Sequence, residues 1–143
     1  MSQSPLQLDR YFFVKISLEA NAKGDPKADY NIEAKTDVSR DESQERHYLV
    51  SLTVRLTPIE EAHPCYVGEV VVMGYFHVHQ DYPAEKCDKL VAMNGASMLY
   101  GAVREMVSNL SARGPWPMVV LTPMNFADLN RIEKTGIEAT GQP

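Results

Sequence analysis

The sequence predicts an α+β domain, in which an antiparallel sheet built by the first half of the chain carries helices from the second half on one side. Two observations predict this. Four segments of strand-like composition precede residue 80, and only after residue 95 does the apolar spacing change from every second residue to every third or fourth. With 143 residues, 44% of them apolar, the chain has the size of one domain, which buries roughly 70% of its unfolded surface. A single domain is expected, with its core over about residues 6–130 and a flexible tail over 135–143.

Residues 11–19 (YFFVKISLE) alternate imperfectly, placing Phe13, Lys15, Ser17 and Glu19 on one face and Phe12, Val14, Ile16 and Leu18 on the other. A loop rich in Asn, Gly, Asp and Pro follows over 21–30, then a weaker, more exposed strand over 30–37 and a polar turn over 37–45. Residues 47–57 (HYLVSLTVRLT) form the clearest strand, with Tyr48, Val50, Leu52, Val54 and Leu56 on one side. A short turn leads into residues 65–79 (CYVGEVVVMGYFHVH), a long strand with kinks or bulges expected at Gly68 and Gly74. Two adjacent long strands with a short connection make an antiparallel hairpin.

Over residues 96–113, Met98, Leu99, Ala102, Val103, Met106, Val107 and Leu110 recur at helical spacing. Asn94 is placed to cap this helix and Gly114 to end it before Pro115. Residues 115–123 (PWPMVVLTP) cannot be helical, since their prolines break the backbone pattern, yet they are strongly apolar. Asn125 is placed to cap a short last helix reaching about Lys134.

The charge balance, 19 acidic against 14 basic side chains and a net −5, comes without a basic block. It disfavours nucleic acid, whose phosphates draw on clustered Lys and Arg. Residues 1–9 lack the basic start and apolar run of a secretory signal, and no stretch approaches 18 apolar residues. A cytoplasmic location is expected, and with it Cys65 and Cys87 as reduced thiols.

None of GxxxxGK[ST], GxGxxG, GxSxG or HExxH occurs, so phosphate, dinucleotide, acyl-transfer and zincin chemistry have no foothold, and no enzyme activity is expected. The best metal candidate is His77-x-His79, with Cys65, Cys87 or His63 as a third ligand; the alternative is a polar strand face near a sheet end. Cys87 has no local base to make it a nucleophile. Arg104 and Glu105 read as a buried ion pair, an active-site pair or a solvated face. Met93, Met98, Met106, Met118 and Met124 read as core, or as flexible thioethers lining an adaptable groove. The proline-punctuated segment 115–126, with the only tryptophan, must be a buried structured loop, the wall of an apolar binding surface, or both.

Residues 97–126 (SMLYGAVREMVSNLSARGPWPMVVLTPMNF) resemble the helix and following loop of the bacterial SecB export chaperones. The match includes Ala102, Arg104 and Glu105, then Ser111, Arg113 and Gly114, and continues with Pro117, Leu121, Pro123, Asn125 and Phe126. Residues 6–19 are similar to the family's first strand at Gln7, Arg10, Ile16, Ser17 and Glu19, and residues 67–76 match its long strand at Glu69, Val70, Gly74 and Phe76.

The resemblance implies a four-stranded antiparallel sheet with one long and one short C-terminal helix, assembled as a dimer of dimers. It implies a holding chaperone for unfolded or precursor polypeptides in protein export, using neither ATP nor metal, with no nucleic acid and no membrane insertion. By position, the client groove would take Val70, Val72 and Phe76 from the long strand and Trp116, Met118, Val119, Leu121 and Phe126 from the loop. The oligomer contacts would come from the first strand and from the long helix, the helix supplying Met98, Leu99, Ala102, Val103, Met106, Val107 and Leu110. Docking of the export motor SecA would use Glu19, Val67 and Glu69, but Lys15 stands where the family has an aspartate, reversing a charge. Residues 127–134 are shorter and more polar than the family's last helix. A SecB-like chaperone dedicated to one client, such as an antitoxin, and a small-molecule or metal-binding protein are the alternatives.

Overall fold

The computed structural model describes residues 4–126. Four antiparallel strands, β1 (Leu6–Ala20), β2 (Tyr30–Arg40), β3 (His47–Pro58) and β4 (Tyr66–Val78), form one sheet in the order β1-β4-β3-β2. A 3₁₀ turn (Ala84–Lys86), a short helix α1 (Cys87–Leu90), a π-helical turn (Val91–Gly95) and α2 (Ala96–Ser111) follow as one helical run across one face. The α+β expectation holds for these elements; the predicted short last helix lies outside the described residues.

The alternation read in residues 47–57 carries over directly. Tyr48, Val50, Leu52, Val54 and Leu56 of β3 are all buried, facing Ala96, Leu99, Val103 and Val107 of α2 across the core, with Val70, Val72, Phe76 and Val78 from β4 beside them. In β1 the expected faces are wrong beyond Phe13. The β1–β4 register slips between Leu8 and Arg10 and again between Phe13 and Lys15, so Asp9 and Val14 are extra residues. Each bulge inverts the phase of the alternation. The helix-side face is therefore Leu6, Leu8, Tyr11, Phe13, Ile16 and Leu18, opposite Val78, Phe76, Gly74, Val72, Val70 and Gly68. Phe12 joins Lys15, Ser17 and Glu19 on the open face.

The bulges thus fall in β1, not at Gly68 and Gly74, which pair in register. Gly74 instead leaves room for Phe76 and Leu99, whose side-chain atoms would stand 2.9 and 3.0 Å from an added Cβ. Gly114 likewise has no positive φ; a Cβ there would overlap the Tyr66 hydroxyl, which donates to the Ser111 carbonyl at 3.1 Å. Asn94 lies inside the π turn rather than capping a helix. That turn inserts one residue into the helical phase, so Val91, Ala92, Gly95 and Ala96 are all buried and simple periodicity misses the start of the run.

Two polar anchors seat the helical run. Asp88 accepts from the Tyr48 hydroxyl at 2.8 Å and forms a forked ion pair with Arg40. Arg46, at φ 63°, donates to the carbonyls of His79 (2.8 Å) and Tyr82 (2.7 Å) and to Cys87 Sγ (3.4 Å). One buried polar atom lacks a partner among the described residues, the hydroxyl of Thr36 on β2. A buried unsatisfied hydroxyl costs more than the apolar group that replaces it. Thr36→Val is therefore expected to stabilise the fold by about 1 kcal/mol, measured as a rise in urea midpoint at unchanged slope.

Candidate functional site

Residues 117–125 run in irregular, non-helical conformation back along α2, tied to it by side chains at positions 100, 104, 108 and 111. The Ser111 hydroxyl accepts from Val119 N–H at 2.8 Å and donates to the Val107 carbonyl at 2.7 Å. Ser108 donates to the Val119 carbonyl (3.0 Å), Arg104 Nε to the Leu121 carbonyl (3.0 Å) and the Tyr100 hydroxyl to the Thr122 carbonyl (2.6 Å). Spacings of four, four and three place these side chains on one flank of the helix. A proline-broken segment has no ladder of its own, and α2 satisfies its backbone groups instead. Below the segment, Leu121 and Phe126 are buried, and the Phe126 ring meets Tyr100 edge-on at 5.4 Å between centroids.

Apolar side chains alternate along the segment. Val119 packs on the core and Leu121 is buried, while Met118 and Val120 are 53% and 58% exposed. Trp116 is half-buried as a fastener: its indole N–H donates to the Asn21 carbonyl at 2.9 Å, joining the segment to the loop after β1. Arg104 donates to the Leu121 carbonyl and forms no ion pair among the described residues, and Glu105 is exposed.

Residues expected in the client groove therefore divide. Val70, Val72, Phe76, Leu121 and Phe126 are interior side chains between sheet and helix rather than surface. Residues expected at oligomer contacts divide likewise: Leu99, Val103 and Val107 are buried against the chain's own sheet, while Met98, Ala102, Met106 and Leu110 retain exposure. Both divisions have one cause, since the sheet uses the most apolar flank of α2 first. Sequence reasoning missed Tyr100, Ser108 and Ser111, although their helical spacing with Arg104 was a readable signal. It also missed Val120, and it assigned the first strand to subunit contacts without naming Tyr11, Val14 and Ile16 as the exposed apolar side chains of the edge strand β1.

On the open face, register brings Glu19 opposite Val67 and Ser17 opposite Glu69. Glu69 accepts from Lys15 Nζ at 2.9 Å and from Arg55 on β3. Lys15 first, and then Arg55, hold the Glu69 carboxyl below the ordinary carboxylate value.

At the sheet end, His77 Nδ1 meets the Asp9 carboxylate at 2.7 Å and its ring stacks on His47 at 5.6 Å. The described residues contain no group of three His, Cys, Asp or Glu placed to hold a metal ion. Both cysteines are free thiols; burial, then Asp25, pushes the Cys65 thiol up, and Cys87 is buried beside Arg46 and the Pro83 carbonyl. No helix among the described residues is long and apolar enough to cross a membrane.

A one-sided α+β subunit that displays apolar side chains on a braced segment is of the class that presents an apolar binding surface. Known proteins agree. The family model for preprotein translocase subunit SecB matches residues 1–135. The protein-export protein SecB of Psychrobacter arcticus is 26% identical, over 98% of this chain and 95% of its own, and that of Psychrobacter cryohalolentis is 28% identical, over 87% and 84%. Among solved structures, the SecB-like chaperone of Mycobacterium tuberculosis, in complex with a ChAD peptide from an antitoxin, superposes with a TM-score of 0.64. It is 18% identical, over 85% of this chain and 88% of that one. The chain belongs to the SecB family, whose members are chaperones of protein export rather than enzymes.

Proposed function

We propose that this protein is an ATP-independent holding chaperone of the cytoplasm that takes up unfolded or precursor polypeptides as a dimer of dimers. The observation that carries the reading is the braced display of Met118 and Val120 beside the core. Exposed apolar side chains on an ordered backbone bind apolar stretches of any sequence, and bracing removes the entropy cost of ordering the site. Copies of the chain meet in this reading through Tyr11, Val14 and Ile16 of β1 and the outer flank of α2 at Met98, Ala102, Met106 and Leu110, all of which keep exposure in the single subunit. The test is light scattering of a reduced, unfolded model protein without ATP. Suppression that saturates near one oligomer per client is expected; a monomer that leaves aggregation unchanged would overturn the reading.

A second reading, a chaperone dedicated to one client such as an antitoxin, is favoured by the open face. SecA docking by Glu19, Val67 and Glu69 relies on acidic groups, and here Lys15 and Arg55 already neutralise Glu69. Under this reading wild-type protein binds SecA weakly, and Lys15→Asp raises the affinity roughly tenfold by removing one of the two cations paired with Glu69 and adding a negative charge. Titration calorimetry of both proteins against SecA checks this; tight wild-type binding would restore the general export role.

A further inference from the structure

The open face of the sheet, opposite α2, ends in a cross-strand pair of histidines. His47 of β3 and His77 of β4 stand opposite each other in register, and their rings lie 24° from parallel with centroids 5.6 Å apart. Each ring is oriented through the same nitrogen. His77 Nδ1–H is donated to the Asp9 carboxylate, 2.7 and 2.9 Å from its two oxygens, and His47 Nδ1–H to the Glu45 carbonyl at 2.8 Å. Asp9 stands there as the extra residue of the first β1 bulge. A neutral imidazole that donates from Nδ1 carries its lone pair on Nε2. Both Nε2 atoms are therefore acceptors, and neither has a hydrogen-bond partner among the described residues. The pair helps to line a hollow of about 570 Å³ at the sheet end, together with Glu45, His79 and Asp81.

We propose that His47 and His77 form a two-ligand site for a divalent ion of the zinc, nickel or copper class. A carboxylate or carbonyl behind each imidazole is the arrangement that orients ligating histidines and raises their basicity. Magnesium and calcium, which take oxygen ligands, do not suit this donor set. An ion about 2.1 Å from each nitrogen at the tetrahedral angle needs the two Nε2 atoms about 3.4 Å apart. Binding therefore turns the outer edges of the two rings towards each other. Among the described residues no group of three His, Cys, Asp or Glu is placed to hold an ion, so water completes the coordination and the ion stays exchangeable. His79 is not a third ligand, because its Nδ1 accepts the Asp81 N–H at 3.2 Å, which leaves the proton on Nε2. The bound ion clips β3 to β4 and, through Asp9, to the edge strand β1.

Calorimetric titration of zinc chloride into the full-length, untagged protein tests the site. One zinc per chain is expected, with no binding of magnesium chloride. His47→Gln and His77→Gln should each weaken zinc binding roughly tenfold or more, and Asp9→Ala, which removes only the group behind His77, about 10- to 100-fold. His79→Gln should leave it within a factor of two. All four side chains keep exposure, so the variants should fold. Thermal unfolding supplies the second readout. Zinc should raise the midpoint of the wild type and of His79→Gln by several degrees, and leave a variant carrying both His47→Gln and His77→Gln unmoved. No binding at micromolar zinc overturns the site. So does binding that His79→Gln abolishes or that Asp9→Ala leaves unchanged, which is what scattered surface histidines would give.

Discussion

Phe76→Ala is expected to cost about 3–5 kcal/mol of stability, because Phe76 is 0% exposed and sits between Tyr48 of β3, Leu8 of β1 and the helical run at Gly95. Such a loss is a large share of the stability of a domain of this size. Chaperone activity would fall with it, yet for the indirect reason that the subunit no longer holds its shape. Met118→Ser combined with Val120→Ser should do the opposite. Both side chains are more than half exposed, so stability should hold to within about 0.5 kcal/mol per site, while client affinity falls roughly tenfold as two apolar contacts are lost. Urea unfolding and peptide binding, measured on both proteins under conditions where each is folded, separate the roles. If Phe76→Ala kept wild-type stability and lost binding, Phe76 would be a groove residue after all.

That contrast shows how far residue type alone reaches. A list of apolar side chains in a strand and a proline-rich loop does not say which are interior and which are displayed, because both sets have the same composition. Burial is decided by the partner face. β4 lies between β1 and β3 under the helical run, so Val70, Val72 and Phe76 are covered within one chain. β1 is an edge strand with a neighbour on one side only, so Tyr11 and Ile16 remain open although they share a face with Leu6.

The sheet-plus-helix architecture was legible because period two and period 3.6 cannot be confused over a dozen residues. The faces of β1 were not, since two bulges reset the alternation and nothing in YFFVKISLE marks Val14 as the extra residue. The polar flank of α2 lay in plain view as Tyr100, Arg104, Ser108 and Ser111. Its purpose was hidden, however, because serines in a helix read as solvated until a segment without its own hydrogen bonds is found beside them.

The sharpest test of the β1–β4 contact is a pair of identical substitutions with opposite expected signs. At Gly68 an added Cβ would overlap the Ser17 carbonyl oxygen outright and stand 2.8 and 2.9 Å from Ser17 C and Leu18 Cα. These are backbone atoms, which cannot swing aside as a side chain does. φ at Gly68 is not positive, so the need is for space, not for a conformation barred to other residues. Gly68→Ala must therefore push β1 away from β4 where Ser17, Leu18 and Glu19 pair with Glu69, Gly68 and Val67. A loss of about 3 kcal/mol is expected, together with release of the Lys15–Glu69 ion pair. At Gly101, on the exposed flank of α2, an added Cβ meets nothing within 4 Å. Within the single subunit Gly101→Ala removes backbone freedom from the unfolded chain and should stabilise the helix by about 0.5–1 kcal/mol. Thermal unfolding of both variants at one fixed protein concentration decides the matter, since oligomers couple stability to concentration. A Gly68→Ala protein as stable as wild type would show that β1 is free to shift along its edge, and that its close approach to β4 contributes little to the fold.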